Sequence, residues 1–213
     1  MSSVQFSNKE LELFHRYGHG PTISPAFSLI HKAFEYRAES QPHSVAAEYC
    51  GDFITYAELE LKSNTLANHL ISNGLQPRQR VCLVVQRSIH MLVGILAVLK
   101  CGCQYVPLDG AVTPEHYISH LVMDTEVSVI ICLDVFVSKL QRCVSQDISL
   151  VVLDRHDNFL SASSTIRPKV DIGPEDGAYL IYTSGKFDTV VKRLLSKYSR
   201  HFRTSKGRRC CAW

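Results

Sequence analysis

The chain has 213 residues, 46% of them hydrophobic, and a formal net charge of +3. Such a composition suits a globular protein of one large or two small domains with a buried core. It excludes a helical membrane span, since the longest apolar run, Ile89 to Leu99, is about half the length a bilayer needs and carries His90.

The charge is unevenly placed. Nine of the 23 Lys and Arg but only one of the 20 Asp and Glu lie beyond Gly185, which divides the chain into a mildly acidic body and a basic tail. The eight cysteines are scattered, several inside apolar runs, and read as buried free thiols rather than as a disulfide framework. No basic segment followed by an apolar one opens the chain, and no Asn-x-Ser/Thr site occurs, so a cytoplasmic location is expected.

Residues 1–24 are polar and aperiodic, with a turn at Gly18 to Pro21, and read as a linker or leader. Phe27, Ile30, Phe34 and Ala38 recur at helical spacing, and Pro42 ends that helix near Gln41. Val45 to Tyr49 and Phe53 to Tyr56 predict a hairpin around Gly51-Asp52. Thr55 and Glu58 form a capping-box pattern at the start of a helix with Leu59, Leu66 and Leu70 on its core face and Gly74 at its end. Arg80 to Val85 is a strand of the fully buried type. Ser88 caps a helix carrying Leu92, Ile95, Leu96 and Leu99, which stops at Cys101-Gly102.

Gln104 to Leu108 is the next strand, and Thr113-Pro114 starts a helix with proline at its first position. Val127 to Leu133, a weaker helix at Val135 to Cys143, and Ile148 to Leu153 follow. A polar loop over residues 154–177 leads to a last strand, Ala178 to Tyr182. Continuous apolar strands alternating with helices predict an α/β layer structure with a mostly parallel sheet.

Three stretches carry more than periodicity: "ITYAEL" from Ile54, "LKCGCQYVPLD" from Leu99 and "AYLIYTSG" from Ala178. They resemble, in order, the first two core motifs of nonribosomal peptide synthetase adenylation domains and the opening of their phosphate loop, AYxxYTSGSTGxPKG. "QRSIHMLVGILAVLK" from Gln86 is similar to a helix of the same family. The resemblance covers residues 27–185 and points to the superfamily of AMP-forming acyl and aryl synthetases. It implies the first α/β lobe of the large domain, incomplete, over residues 25–185, flanked by the linker 1–24 and a non-homologous basic tail 186–213.

The resemblance further implies a parent activity using ATP and Mg. An amino acid is activated to an aminoacyl-AMP and then passed to the phosphopantetheine thiol of a carrier domain. Thr183, Ser184 and Gly185 would contact the ATP phosphates, since hydroxyls and backbone N–H groups at the end of a buried strand suit phosphate oxygens.

After Gly185 the chain leaves the pattern. Lys186, Phe187, Asp188, Thr189, Val190, Val191 and Lys192 stand where the family has Ser or Thr, Thr, Gly, any residue, Pro, Lys and Gly. Asp188 sets a carboxylate beside a triphosphate, and Phe187 and Val190 replace the glycine and proline that shape the loop. The family's later segments, its substrate pocket and lid lysine among them, are not represented. The expectation is a fragment with no catalytic residues of its own, inactive alone and binding no cofactor productively. Gly185-Lys186-Phe187 is compatible with codons containing GTAAGT, so the tail reads as translated intron or a frameshift.

Other readings are weighed on their own residues. His116 and His120 are four apart on a predicted helix but lack a third ligand, and Cys101-x-Cys103 lacks a second pair, so no metal site is expected. The terminal Cys-Cys-Ala-Trp is a poor prenylation box. Val190, Val191, Leu194, Leu195, Tyr198 and Phe202 approximate one face of a helix with Lys192, Arg193, Lys197 and Arg200 around it. That supports an alternative in which a noncatalytic interaction protein uses lobe and tail to bind a protein, a membrane surface or nucleic acid. The main reading expects neither nucleic acid nor membrane as a partner. It expects self-association through exposed apolar surface, and leaves open a separate chain that supplies the missing half.

Overall fold

The structure is a computed structural model that describes residues 7–17, 26–155, 164–183 and 192–197. Within the stretch read as an aperiodic linker lies a helix, α1 (Asn8–Tyr17), with no buried residue. Its cause is local: the Ser7 hydroxyl accepts from the Glu10 N–H while the Glu10 carboxylate accepts from the Ser7 N–H, a capping box the periodicity reading passed over.

Helix α2 (Ile30–Ser40) ends where Pro42 requires, with Gln41 as its C-cap. Strands β1 (Val45–Tyr49) and β2 (Asp52–Thr55) form a separate antiparallel hairpin. Its turn is Cys50-Gly51, one place before the expected Gly51-Asp52, and Asp52 already pairs with Tyr49. Both turn residues have positive φ, 53° and 90°, which the right-handed twist of a two-residue hairpin demands and glycine supplies at little cost. The capping box of α3 (Tyr56–Ser72) is present as expected: the Thr55 N–H donates to Glu58 Oε2 at 2.9 Å and the Glu58 N–H to Thr55 Oγ1 at 3.3 Å.

The main sheet is built from β3 (Arg80–Val85), β4 (Gln104–Asp109), β5 (Val129–Cys132), β6 (Ser149–Val152), β7 (Gly177–Thr183) and β8 (Lys192–Lys197), in spatial order β6-β5-β3-β4-β7-β8. The first five are mutually parallel, and β8 runs antiparallel to β7. Helix α4 (Ile89–Lys100) joins β3 to β4 on one side; α5 (Glu115–Thr125) carries the chain back to β5 on the other side of β3. Right-handed crossovers running in opposite directions put these helices on opposite faces of the sheet. Helices α2 and α3 pack beside α4, and α6 (Val137–Cys143) beside α5.

Ser88 caps α4 as predicted, accepting from the Met91 N–H at 3.2 Å. Pro114 stands one place earlier than predicted: it is the extended N-cap of α5, which begins at Glu115. Close approach of α4 to the sheet depends on Gly94, where a Cβ would lie 2.6 Å from the Leu83 side chain. Val81 to Val85 are buried throughout, the pattern of a central parallel strand.

Two further expectations change. Residues 192–197, in the tail expected to be non-homologous and given a helical face only in the alternative reading, form β8, because pairing with β7 satisfies a strand edge that a helix would leave open. Of the described cysteines, Cys82, Cys101, Cys103 and Cys132 are buried free thiols, whereas Cys50 is exposed in the hairpin turn and Cys143 half-buried; Cys210 and Cys211 lie outside the described residues. Among the described residues no helix is long and apolar enough to cross a membrane.

Candidate functional site

Thr183 is the last residue of β7, at the carboxyl end of the parallel strands, where open α/β sheets take their ligands. Ser184 and Gly185, the other two residues assigned to phosphate contact, lie outside the described residues. The backbone of Thr183 is paired with Lys192 of β8.

Packing fixes β7 along its length. Ala178 and Leu180 are buried. The Tyr179 ring lies 5.4 Å from that of Tyr105, its parallel partner on β4. On the opposite face of the sheet, the Tyr182 hydroxyl donates to the Asp124 carboxylate of α5. At the start of β7, Arg78 Nε donates to Asp176 Oδ1 at 2.9 Å. That hydrogen bond holds the Asp176 carboxyl below the usual carboxylate range, with help from the Gly173 N–H at 2.8 Å.

Upstream, residues 164–176 contain no helix or strand and are tied down by side chains from α2 and α3. Asn64 Nδ2 donates to the Thr165 carbonyl at 3.1 Å, and Asn68 Nδ2 to those of Ser164 and Ile166 at 2.8 and 2.7 Å. Arg167 Nε donates to Glu60 Oε1 at 2.6 Å, and its terminal nitrogens reach Glu39 and the Glu35 carbonyl. Val170 and Ile172 then sit against Gly102.

Beneath this segment lies an ionic centre. Lys100, at the end of α4, has a side chain 1% exposed, and its Nζ donates to Glu60 Oε2 and Asn64 Oδ1, both at 2.8 Å, with Glu35 Oε1 at 3.5 Å. The ammonium also sits 5.9 Å from the centre of the Phe34 ring. Burial would raise the Glu60 carboxyl, but hydrogen bonds from Arg167 and Lys100 outweigh it and hold that group below its usual range. Burial lowers Lys100, and Glu60 restores part of the difference. Nearby His31, buried on α2, is lowered to about 4, chiefly by burial.

None of Lys100, Glu60 or Arg167 stands out from the sequence motifs. A signal is nonetheless present: Lys100 ends the apolar run Ile89 to Leu99 on the side of the helix that should be core, where a lysine needs a counter-charge. His116 and His120, by contrast, are exposed on α5, and no cluster of three potential metal ligands occurs among the described residues.

Residues 34–185 match the sequence profile of the family described as AMP-binding enzyme. An adenylate-forming reductase of Coprinopsis cinerea (03009) is 33% identical over 180 residues, 83% of this chain and 17% of the relative. Bacitracin synthase 3 of Bacillus licheniformis is 32% identical over 173 residues, 81% of this chain and 3% of the relative. Among solved structures, the AMPPNP-bound form of the nonribosomal peptide synthetase FmoA3 is similar at a TM-score of 0.77 and 21% identity, over 91% of this chain and 20% of that one. The N-terminal subdomain of Klebsiella oxytoca NpsA, in complex with anthranilyl-AMSN, gives 0.66 and 21%, over 80% of this chain and 41% of that one.

At such identities the structural likeness establishes the fold, while the sequence profile establishes kinship. The chain spans less than a fifth of the length of these curated relatives. With the profile match covering most of the polypeptide and running from α2 to the end of the Thr-Ser-Gly stretch, the chain belongs to the AMP-binding enzyme family and has the fold of part of its amino-terminal lobe.

Proposed function

We propose that residues 25–185 are the amino-terminal part of an adenylation domain, an incomplete first lobe that faces the phosphates, and that these 213 residues by themselves do not adenylate a substrate. The parent reaction joins the carboxylate of an amino acid to AMP and hands the acyl group to a carrier-domain thiol, in the cytoplasm and with neither membrane nor nucleic acid as partner. The relative named bacitracin synthase 3 supports an amino acid, and the relative named as an adenylate-forming reductase leaves the class of acid open. The linker 1–24 and the tail 186–213 flank the lobe.

One observation carries the reading: Thr183 closes a parallel strand, anchored by the buried Ala178 and Leu180, at the carboxyl edge of the sheet and opens a Thr-Ser-Gly stretch. There, backbone N–H groups and hydroxyls of residues 183–185 would hold phosphate oxygens, and glycine permits their close approach. ATP, when bound with Mg, supplies the adenylyl group. The chain's own next residues oppose that arrangement, because Asp188 repels phosphate and Phe187 and Val190 replace the small and rigid positions of the loop. Losing even one preorganised donor to a developing oxyanion costs roughly a hundredfold to a thousandfold in rate.

The test is pyrophosphate exchange by the purified chain against a panel of amino and aryl acids. Exchange at the blank level is the expected result. Turnover above it with any acid overturns the proposal of inactivity, and AMPPNP titration that leaves the amides of residues 183–185 unmoved in a chain whose residues 186–192 are replaced by the family pattern counts against the phosphate assignment.

A further inference from the structure

We propose that Glu60, held between Lys100 and Arg167, latches residues 164–172 onto the helices and thereby sets the position at which β7 delivers Thr183; this rests on the reading of Thr183 as the start of the phosphate loop. Lys100, Glu60 and Arg167 are then positioning residues, acting on the loop through the strand and not by touching a ligand.

The geometry is that of a two-sided carboxylate. Glu60 Oε2 accepts from the buried Lys100 Nζ at 2.8 Å, and Oε1 accepts from Arg167 Nε at 2.6 Å and Asn64 Nδ2 at 3.2 Å. One oxygen thus faces the interior of the helix layer and the other faces the irregular segment. Charge balance gives the segment a stake in the arrangement. Lys32, Lys100 and Arg167 stand against Glu35, Glu39 and Glu60, and withdrawing Arg167 leaves the centre one positive charge short around a largely buried carboxylate. In a medium of low polarity that imbalance is expensive. Arg167 is therefore drawn back to one place, and its planar fork reaches Glu60, Glu39 and the Glu35 carbonyl together.

From that fixed point the chain has little freedom before the sheet. Asn64 and Asn68 hold residues 164–166, and Val170 and Ile172 rest against Gly102. Arg78 donates to the Asp171 carbonyl and grips Asp176, and Gly177 begins β7. The contacts join the stretches that carry the family likeness. Glu60 follows the "ITYAEL" segment by one residue, Lys100 belongs to "LKCGCQYVPLD", and Arg167 governs the approach to "AYLIYTSG". Two segments that hold no phosphate group thereby act on the one that would.

The experiment is peptide-resolved amide hydrogen exchange on the full chain. Arg167→Ala is the main variant, because Arg167 is partly exposed and its loss leaves the Lys100–Glu60 pair in place. Expected is roughly tenfold faster exchange in residues 164–172 and also in the β7 amides up to Thr183, with β3, β5 and α4 unchanged. Arg167→Lys should restore part of the protection, and Glu60→Gln should reproduce the loss. Acceleration confined to residues 164–172, or none at all, overturns the proposal, since the fastening would then be local. The result is independent of nucleotide: failure of AMPPNP to shift residues 183–185 in the chain with the family pattern at 186–192 would refute the phosphate assignment and leave the exchange pattern standing.

Discussion

Lys100 Nζ and Glu60 Oε2 lie 2.8 Å apart with the lysine side chain 1% exposed, a buried ion pair that joins two helices through residues 40 apart in sequence. Such a pair adds little net stability over an apolar replacement of like volume, but removing one member leaves the other without compensation.

Lys100→Met should accordingly destabilise the chain by about 3 to 5 kcal/mol, because Glu60 and Glu35 lose their buried counter-charge. Combining it with Glu60→Gln should cost less than the two single losses summed, by about 1 kcal/mol or more. Urea denaturation of the four proteins checks this. Strict additivity would show that the two groups do not act as a pair.

Acid should loosen the same region. His31 binds its proton at about 4 in the fold and near 6.5 when unfolded. The unfolded chain therefore takes up protons first as pH falls, so stability is full above 6.5 and declines toward 4, by about 3 kcal/mol in all. Glu60, held below its ordinary 4.5, adds stability that is present above that value and is lost as pH falls through its folded value. Melting curves between about pH 7.5 and 4 should show the decline, and His31→Gln should remove most of the part above 4.5. An unchanged pH profile in that variant would argue against the assignment.

Thiol labelling should separate the cysteines by position. Burial pushes Cys82, Cys103 and Cys132 up to about 12 and raises Cys101 as well, while Cys50 sits exposed in the hairpin turn. At about pH 8 Cys50 should react first among the described cysteines, since only the thiolate is nucleophilic and Cys50 is exposed. The four buried thiols should lag by a factor on the order of a thousand until denaturant is added. Mass spectrometry of labelled peptides gives the order directly, and early modification of Cys82 or Cys132 would contradict the core described above.

Removal of residues 186–213 takes away β8 and bares the outer edge of β7. A bare strand edge recruits other strands. The shortened chain should therefore sediment as concentration-dependent oligomers at concentrations where the full chain shows fewer. A monodisperse monomer after truncation would show that β8 is not needed to cover that edge.

Local features were legible in the residues themselves. The capping box at Thr55 and Glu58, the Ser88 cap and the buried strand Val81 to Val85 each depend on neighbours a few positions away, so short-range chemistry suffices to specify them. The Cys50-Gly51 turn falls one residue before the expected one because either dipeptide can supply a tight turn, and cross-strand register decides between them. Tertiary structure alone brought β7 back beside β4, paired residues 192–197 with it, and placed Arg167 on Glu60 across 107 positions. Strand order follows from which faces and edges remain to be covered once the layers assemble. A charge inside an apolar helix announces that it needs a partner, but only the folded chain brings the distant segment that provides one.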